Sequence, residues 1–278
     1  MKKDRSIIFS FLQTCARYLK AASLIVLVML LNSASARAQS NSLVIAVEDD
    51  AAPWSRADGT GYANDVVSAA FKAVGVDVEL RVVPYARCKR MAIRGTAAGC
   101  FSMSPSPEFN GLIELSAKPL FTPYAGYFYN VNKPPQAKRQ EDLPAKTVVG
   151  TVIGYEYPPE FERLVKAGII TLEESPSEVM NLKKLAAGRV DLALLTYDEM
   201  KSPAWLMTRA GVGDKVKTTF RAGALNSYIG FSLKHPQGAW ALQQFNKGFD
   251  IITRNGALRR IQQMWIQKLA QEKPTRSR

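Results

Sequence analysis

Short apolar runs alternate along this chain with stretches whose apolar residues recur every three or four positions. Leu43-Val44-Ile45-Ala46-Val47 reads as a buried strand. Residues 64–74 put Val66, Val67, Ala70, Phe71 and Val74 on one helical face. Residues 78–83 alternate as a strand, Pro84 opens a helix that stops at Gly95, and residues 100–103 form a third strand. A strand–helix–strand–helix–strand order implies right-handed crossovers and a mostly parallel sheet.

From Pro119 the texture changes. Residues 120–129 are aromatic and strand-like, and residues 130–144 form a connector containing Pro and Lys. A second unit follows, with strands at 147–152, 169–172, 190–195 and 215–220 and helices at 156–166, 177–187 and 197–210. Residues 227–233 form a strand that carries the chain back. Two amphipathic helices, 236–253 and 257–270, are separated by the C-cap signal Asn255-Gly256. The predicted fold class is α/β with two lobes, each a mostly parallel sheet flanked by helices. Lobe one comprises residues 39–128 and 228–278, and lobe two residues 129–227. Two such lobes joined by extended strands leave a cleft at their hinge.

The first 38 residues fall outside this pattern. Lys2, Lys3, Arg5, Arg17 and Lys20 precede an apolar run at 21–31, and small residues with Ala34-Ser35-Ala36 and Ala36-Arg37-Ala38 follow. That order is a secretory signal peptide. The run is about half the roughly 20 residues needed to span a bilayer, and no stop-transfer pattern follows, which argues against an uncleaved anchor. Cleavage is expected after Ala38, with Ala36 the other candidate, and the product is expected in the periplasm. The net charge is +13, and +8 remains once this segment's six basic residues and Asp4 are removed. The basic residues are spread out and not interleaved with aromatics, so they do not indicate nucleic acid. Cys88 and Cys100 remain after cleavage, and an even count in an oxidising compartment predicts a disulfide. His235, the only histidine, has no Cys or second His nearby, so no metal site is expected.

Four stretches then resemble the family 3 solute-binding proteins, the receptors of polar-amino-acid uptake systems. These are the loop 47–54, ending in Pro53-Trp54; Gly61-Tyr62-Ala63-Asn64-Asp65-Val66; Gly188-Arg189-Val190-Asp191-Leu192; and the closing helices from Phe245-Asn246-Lys247 through Asn255-Gly256 to Trp265. The resemblance spans about residues 43–269. It implies a two-lobe periplasmic-binding-protein fold of type II, a monomer without cofactor, a small-molecule ligand and a membrane permease as partner. By correspondence, Glu48 lines the cleft, Trp54 and Tyr85 sandwich the ligand, and Ser102 and Ser104 bind a ligand carboxylate. Gly154, Tyr155 and Glu156 present backbone N–H groups to an anion. Asp65 and Asp191 are expected to be structural.

Two departures stand out. Where relatives that bind α-amino acids carry a carboxylate-binding Arg, this chain has Phe109, and where they carry an ammonium-binding Asp, it has Thr196. Asp198 and Glu199 lie close by in a different phase. Arg87, in the first turns of the helix after Pro84, is a candidate substitute cation or a solvated helix residue. A polar or weakly charged solute, such as a modified amino acid, an amine or a small organic acid, fits these changes better than an ordinary amino acid. The expected role is capture without chemistry. A dehydratase-like enzyme, with Glu48 and Glu156 as its only candidate acids or bases, and a sensory protein without transport role are the alternatives.

Overall fold

The computed structural model describes residues 42–272, so the expected signal peptide and its cleavage site lie outside the described residues. Strand β1 (Leu43–Glu48) leads into a small hairpin, β2 (Asp50–Ala51) and β3 (Ser55–Arg56). Helix α1 (Tyr62–Lys72) follows, then β4 (Val78–Val83), α2 (Tyr85–Arg94), β5 (Gly99–Met103) and the short β6 (Ile113–Leu115). Strand β7 (Tyr124–Asn130) opens the second unit. After it come β8 (Thr147–Val152), α3 (Pro159–Lys166), β9 (Ile170–Ser175), α4 (Glu178–Ala186), β10 (Leu192–Tyr197), α5 (Pro203–Ala210) and β11 (Val216–Ala224). The chain closes with β12 (Tyr228–Ser232), α6 (Gly238–Arg254) and α7 (Ala257–Gln271).

Two five-stranded sheets result, with orders β4-β1-β5-β12-β6 and β11-β7-β10-β8-β9. Each contains the expected parallel trio, β4-β1-β5 in one and β10-β8-β9 in the other. Each is then completed by two antiparallel strands, so the sheets are mixed. Strand β7 pairs with β10 from Tyr124 to Tyr129. The second sheet therefore takes in the chain from Tyr124 onward. The connection needs no crossover helix here, because β7 enters its sheet antiparallel.

Apolar residues cover both faces of each sheet. Val66, Phe71, Phe245 and Trp265 lie on one face of the first sheet, and Cys88, Ala92 and Met103 on the other. Tyr127, Phe161 and Leu194 lie on one face of the second, and Phe128, Leu182 and Leu206 on the other. Parallel strands buried on both sides read as continuous apolar runs, which is why β1, β8 and β10 were legible. Helix α7 returns to the first lobe. Trp265 Nε1 donates to Asp65 Oδ2 at 2.7 Å, and Arg56 forks onto Glu272 at 2.9 and 2.8 Å. Among the described residues no helix is long and apolar enough to cross a membrane.

The start of α1 fixes the loop that will matter most. No side chain caps this helix. The carbonyls of Pro53 and Trp54 accept from the amides of Tyr62 and Ala63 at 3.1 and 2.9 Å instead, satisfying donors that a helix start leaves open. Gly61 permits the approach, since a Cβ there would lie 2.3 Å from the Trp54 carbonyl oxygen.

Cys88 on α2 and Cys100 on β5 are bonded, with Cα atoms 5.6 Å apart. The closed loop of about 13 residues corresponds to roughly 3 kcal/mol in the chain-entropy account. Denaturant titration with and without a thiol reductant should show a loss of about that size on reduction. An unchanged midpoint would show that the bond adds nothing to stability.

Candidate functional site

The carboxyl ends of β1, β5, β8 and β10 all reach the space between the sheets. Glu48 ends β1, Ser102 and Ser104 lie at the end of β5, Tyr155 and Glu156 follow β8, and Thr196 lies near the end of β10. With Ala51, Trp54, Phe121, Pro123, Leu225 and Ser227 they surround a cavity of about 30 Å³, the volume of roughly one water molecule. The lobes are closed on each other.

Polar contacts across the cleft hold them. The Tyr155 hydroxyl donates to Glu48 Oε1. Tyr85 Oη donates to Glu156 Oε2 at 2.6 Å, and the Ser104 backbone N–H donates to the same oxygen at 3.1 Å. Lys89 Nζ reaches Glu156 Oε1 at 3.2 Å, the Gly154 carbonyl at 2.7 Å and Glu108 at 2.7 Å. Trp54 Nε1 donates to Asp198 Oδ2 at 3.0 Å, and Arg209 pairs with Asp50 at 2.7 Å on the rim. Tyr85 and Tyr155 meet edge to face at 5.1 Å.

Trp54 is held between two groups. Phe121 stacks on it with centroids 4.4 Å apart, and Lys201 Nζ lies 4.2 Å from its centroid. Lys201 is ion-paired with Glu178 and lies 3.3 Å from Thr196 Oγ1. Glu178 in turn accepts from the Thr196 amide and hydroxyl at 2.7 and 2.8 Å.

Of the residues singled out in the sequence, Glu48, Trp54, Ser102, Ser104, Tyr155, Glu156 and Thr196 line the cavity. Tyr85 does not; it stands behind Glu156 and holds that carboxyl instead of offering a ring face. Arg87 is exposed on α2 and is no substitute cation in this cleft, because Lys89, one half-turn further along α2, points inward. Gly154 offers its carbonyl to Lys89 rather than its N–H to an anion, with φ +81° and a Cβ position 3.1 Å from the Ala86 Cβ. Ser104 does present its amide to a carboxylate, but the carboxylate is the protein's own Glu156.

Sequence reasoning missed Lys89, Glu178 and Lys201. It extended a helix over 197–210, whereas Asp198 Oδ1 accepts from the amides of Met200 and Lys201 at 2.9 and 2.7 Å and shapes a turn. Ser202 then caps α5 and Pro203 occupies its first turn. The Asp-x-x-x-Ser-Pro spacing was the signal available for that turn. Likewise the helix expected from Glu156 begins at Pro159, because residues preceding a proline disfavour the α region.

Two features of the site are costly. Ser102 has φ +69°, sparsely populated for a residue with a side chain, and its hydroxyl is buried with no protein partner. Burial also drives Glu48's carboxyl from the ordinary 4.5 up to about 8. The Tyr155 hydrogen bond and the Lys201 charge offset this only partly, and Glu178 and Asp50 add to it. Burial likewise raises Glu156, against the pull of Lys89 and the hydrogen bonds from Tyr85 and Ser104.

No family model matches the sequence, and no curated protein matches it. Solved structures do. A histidine kinase sensor domain with similarity to periplasmic binding proteins is 20% identical, with TM-score 0.69, covering 82% of this chain and 97% of that one. An ancestral arginine-binding protein bound to arginine is 19% identical, with TM-score 0.66, covering 80% and 98%. An ancestral amino-acid-binding protein, a precursor of cyclohexadienyl dehydratase, is 16% identical, with TM-score 0.62, covering 81% and 95%. At these identities the likeness establishes the fold: the chain has the two-lobe, type II periplasmic-binding-protein architecture.

Glu48 gives this site a measurable signature. The folded protein keeps a proton there that the unfolded chain releases near pH 4.5. Its contribution is therefore fully present below that pH and is lost as pH rises to about 8. Urea unfolding between pH 4.5 and 9 should show Glu48→Gln flattening that decline and gaining stability over the native protein at pH 8 and above. Parallel curves for the two proteins would refute the buried, protonated carboxyl.

Proposed function

We propose that this protein is an exported solute-binding receptor that captures a small polar solute between its lobes and delivers it to a membrane permease. One observation carries the reading. Glu48, Trp54, Tyr85 and Ser104 of one lobe find partners in Tyr155, Asp198 and Glu156 of the other, around a cavity where the Ser102 hydroxyl is left without one. Contacts of this kind can be exchanged for water or ligand at low net cost, unlike an apolar lobe interface. The aromatic–polar lining suits a small ligand, and the N-terminal segment supplies the export signal.

A sensory role on the same fold differs only in what reads the closed state, and the likeness to a sensor domain supports keeping it in view. A dehydratase-like enzyme draws support from Glu48, since a carboxyl protonated at neutral pH is what a general acid requires. Recovery of the captured compound unchanged after incubation separates receptor from enzyme.

Mass spectrometry of small molecules released from the purified, denatured protein should reveal a bound solute. It should not be a common α-amino acid. Among the described residues no guanidinium lines the cavity, and Glu156 already occupies the Ser104 amide that a ligand carboxylate would need. Calorimetric titration should give dissociation constants above about 100 μM for the common amino acids, or less than roughly 5.5 kcal/mol of binding free energy. Micromolar binding of any of them, unaffected by Trp54→Ala, would place the ligand elsewhere.

A further inference from the structure

We propose that the cleft contains an ammonium subsite formed by Trp54, Glu178 and Thr196, that Lys201 fills it as a tethered stand-in, and that the physiological ligand carries an ammonium head which displaces Lys201 there. The proposal deepens the receptor reading and rests on it.

An ammonium ion offers three N–H donors and a positive charge, and no acceptor. The surroundings of Lys201 Nζ answer those demands: the Glu178 carboxylate, the Thr196 hydroxyl at 3.3 Å and the Trp54 face at 4.2 Å. The side chain is 1% exposed. A fully buried lysine is rare unless paired, and a buried ion pair adds little net stability compared with apolar packing of the same size. As a mere clamp between the lobes, Lys201 would be a costly choice.

Its location also fits displacement. Lys201 lies on the turn between β10 and α5, outside both elements, so its side chain can withdraw without moving either. Trp54 and Thr196 line the cavity itself. The charge balance favours a cation and opposes an anion. Glu156, Glu178 and Asp198 face the closed cleft, against the ammonium groups of Lys89 and Lys201, while Glu48 is protonated. A ligand carboxylate would meet these acids, whereas a ligand ammonium leaves them paired. Once Lys201 has swung away, the ligand carries the charge that Glu178 requires.

Chemical complementation tests this directly. Lys201→Ala removes the equivalent of a propylammonium group. The native and variant proteins are titrated by calorimetry with propylammonium chloride, with propanol as neutral control and sodium propionate as anionic control. K201A should bind propylammonium at least tenfold more tightly than the native protein, because the tethered competitor is gone. Trp54→Ala in the K201A background should reverse that gain, and neither control should bind comparably. Equal propylammonium affinity of native and K201A, no binding to either, or preference for propionate would overturn the proposal. Should K201A fail to melt cooperatively, Lys201→Ser vacates the same space with a small polar side chain, and the same order of affinities is expected of it. A solute released from the native protein that proves anionic or neutral would leave the receptor reading standing and remove this one. No released solute, together with a positive complementation, would support the ammonium subsite and count only against tight retention of a solute through purification.

Discussion

A carboxylate taken out of water costs several kcal/mol unless hydrogen-bond donors or cations replace its hydration. This cleft buries three glutamates, Glu48, Glu156 and Glu178. The way each is compensated determines how the lobes meet. Glu48 belongs to the first lobe and is met by Tyr155 of the second. Glu156 belongs to the second and is met by Tyr85, Lys89 and the Ser104 amide of the first. Glu178 is satisfied within its own lobe, but the lysine that satisfies it lies over Trp54 of the other. Closure is therefore the state in which Glu156 and Glu178 are compensated by protein and Glu48 by Tyr155 and its own proton, and opening is the state in which water does it. The difference between two such states is small compared with either term, as a reversible capture device requires.

The rest of the fold serves to place these groups at the meeting line. Both sheets direct the carboxyl ends of their parallel strands toward the cleft, so Glu48, Ser102, Tyr155 and Thr196 arrive there from four different strands. The Trp54 loop is anchored by its carbonyls to the first turn of α1, and the disulfide ties α2, carrying Tyr85 and Lys89, to β5, whose end carries Ser102 and Ser104. Rigid lobes with a polar seam give a cavity whose chemistry is set by a few side chains.

Much of the fold was legible because buried parallel strands leave uninterrupted apolar runs and amphipathic helices leave a 3.6-residue stripe. The two misplaced helix starts both fall on cleft loops, at Glu156 and at Tyr197. There apolar periodicity continues through segments that Pro158-Pro159 and the Asp198 turn hold out of the helix. Most of the lining followed from the resemblance of the loops, but which partner each residue takes did not. A glutamate aligned with ligand-binding positions gives no sign that it satisfies its own protein's tyrosine. A lysine reads as solvated unless its partners are known, so Lys201 and Lys89 were invisible until Glu178, Trp54 and Glu156 were seen beside them. The antiparallel completion of each sheet was also hidden, since strand direction depends on where the chain crosses between lobes and not on residue pattern.

The central claim is that cross-lobe compensation of buried polar groups holds the closed state. Small-angle X-ray scattering of the ligand-free protein tests it most directly, comparing the native chain with a Trp54→Ala, Tyr85→Phe, Tyr155→Phe triple variant that removes one cross-lobe side-chain donor from each of Asp198, Glu156 and Glu48. The account predicts a compact native profile matching the closed lobes, and a larger radius of gyration with two-lobe scattering features for the variant, both proteins remaining folded by circular dichroism. Superimposable profiles for the two would contradict it, because the lobes would then be held together by something other than these contacts.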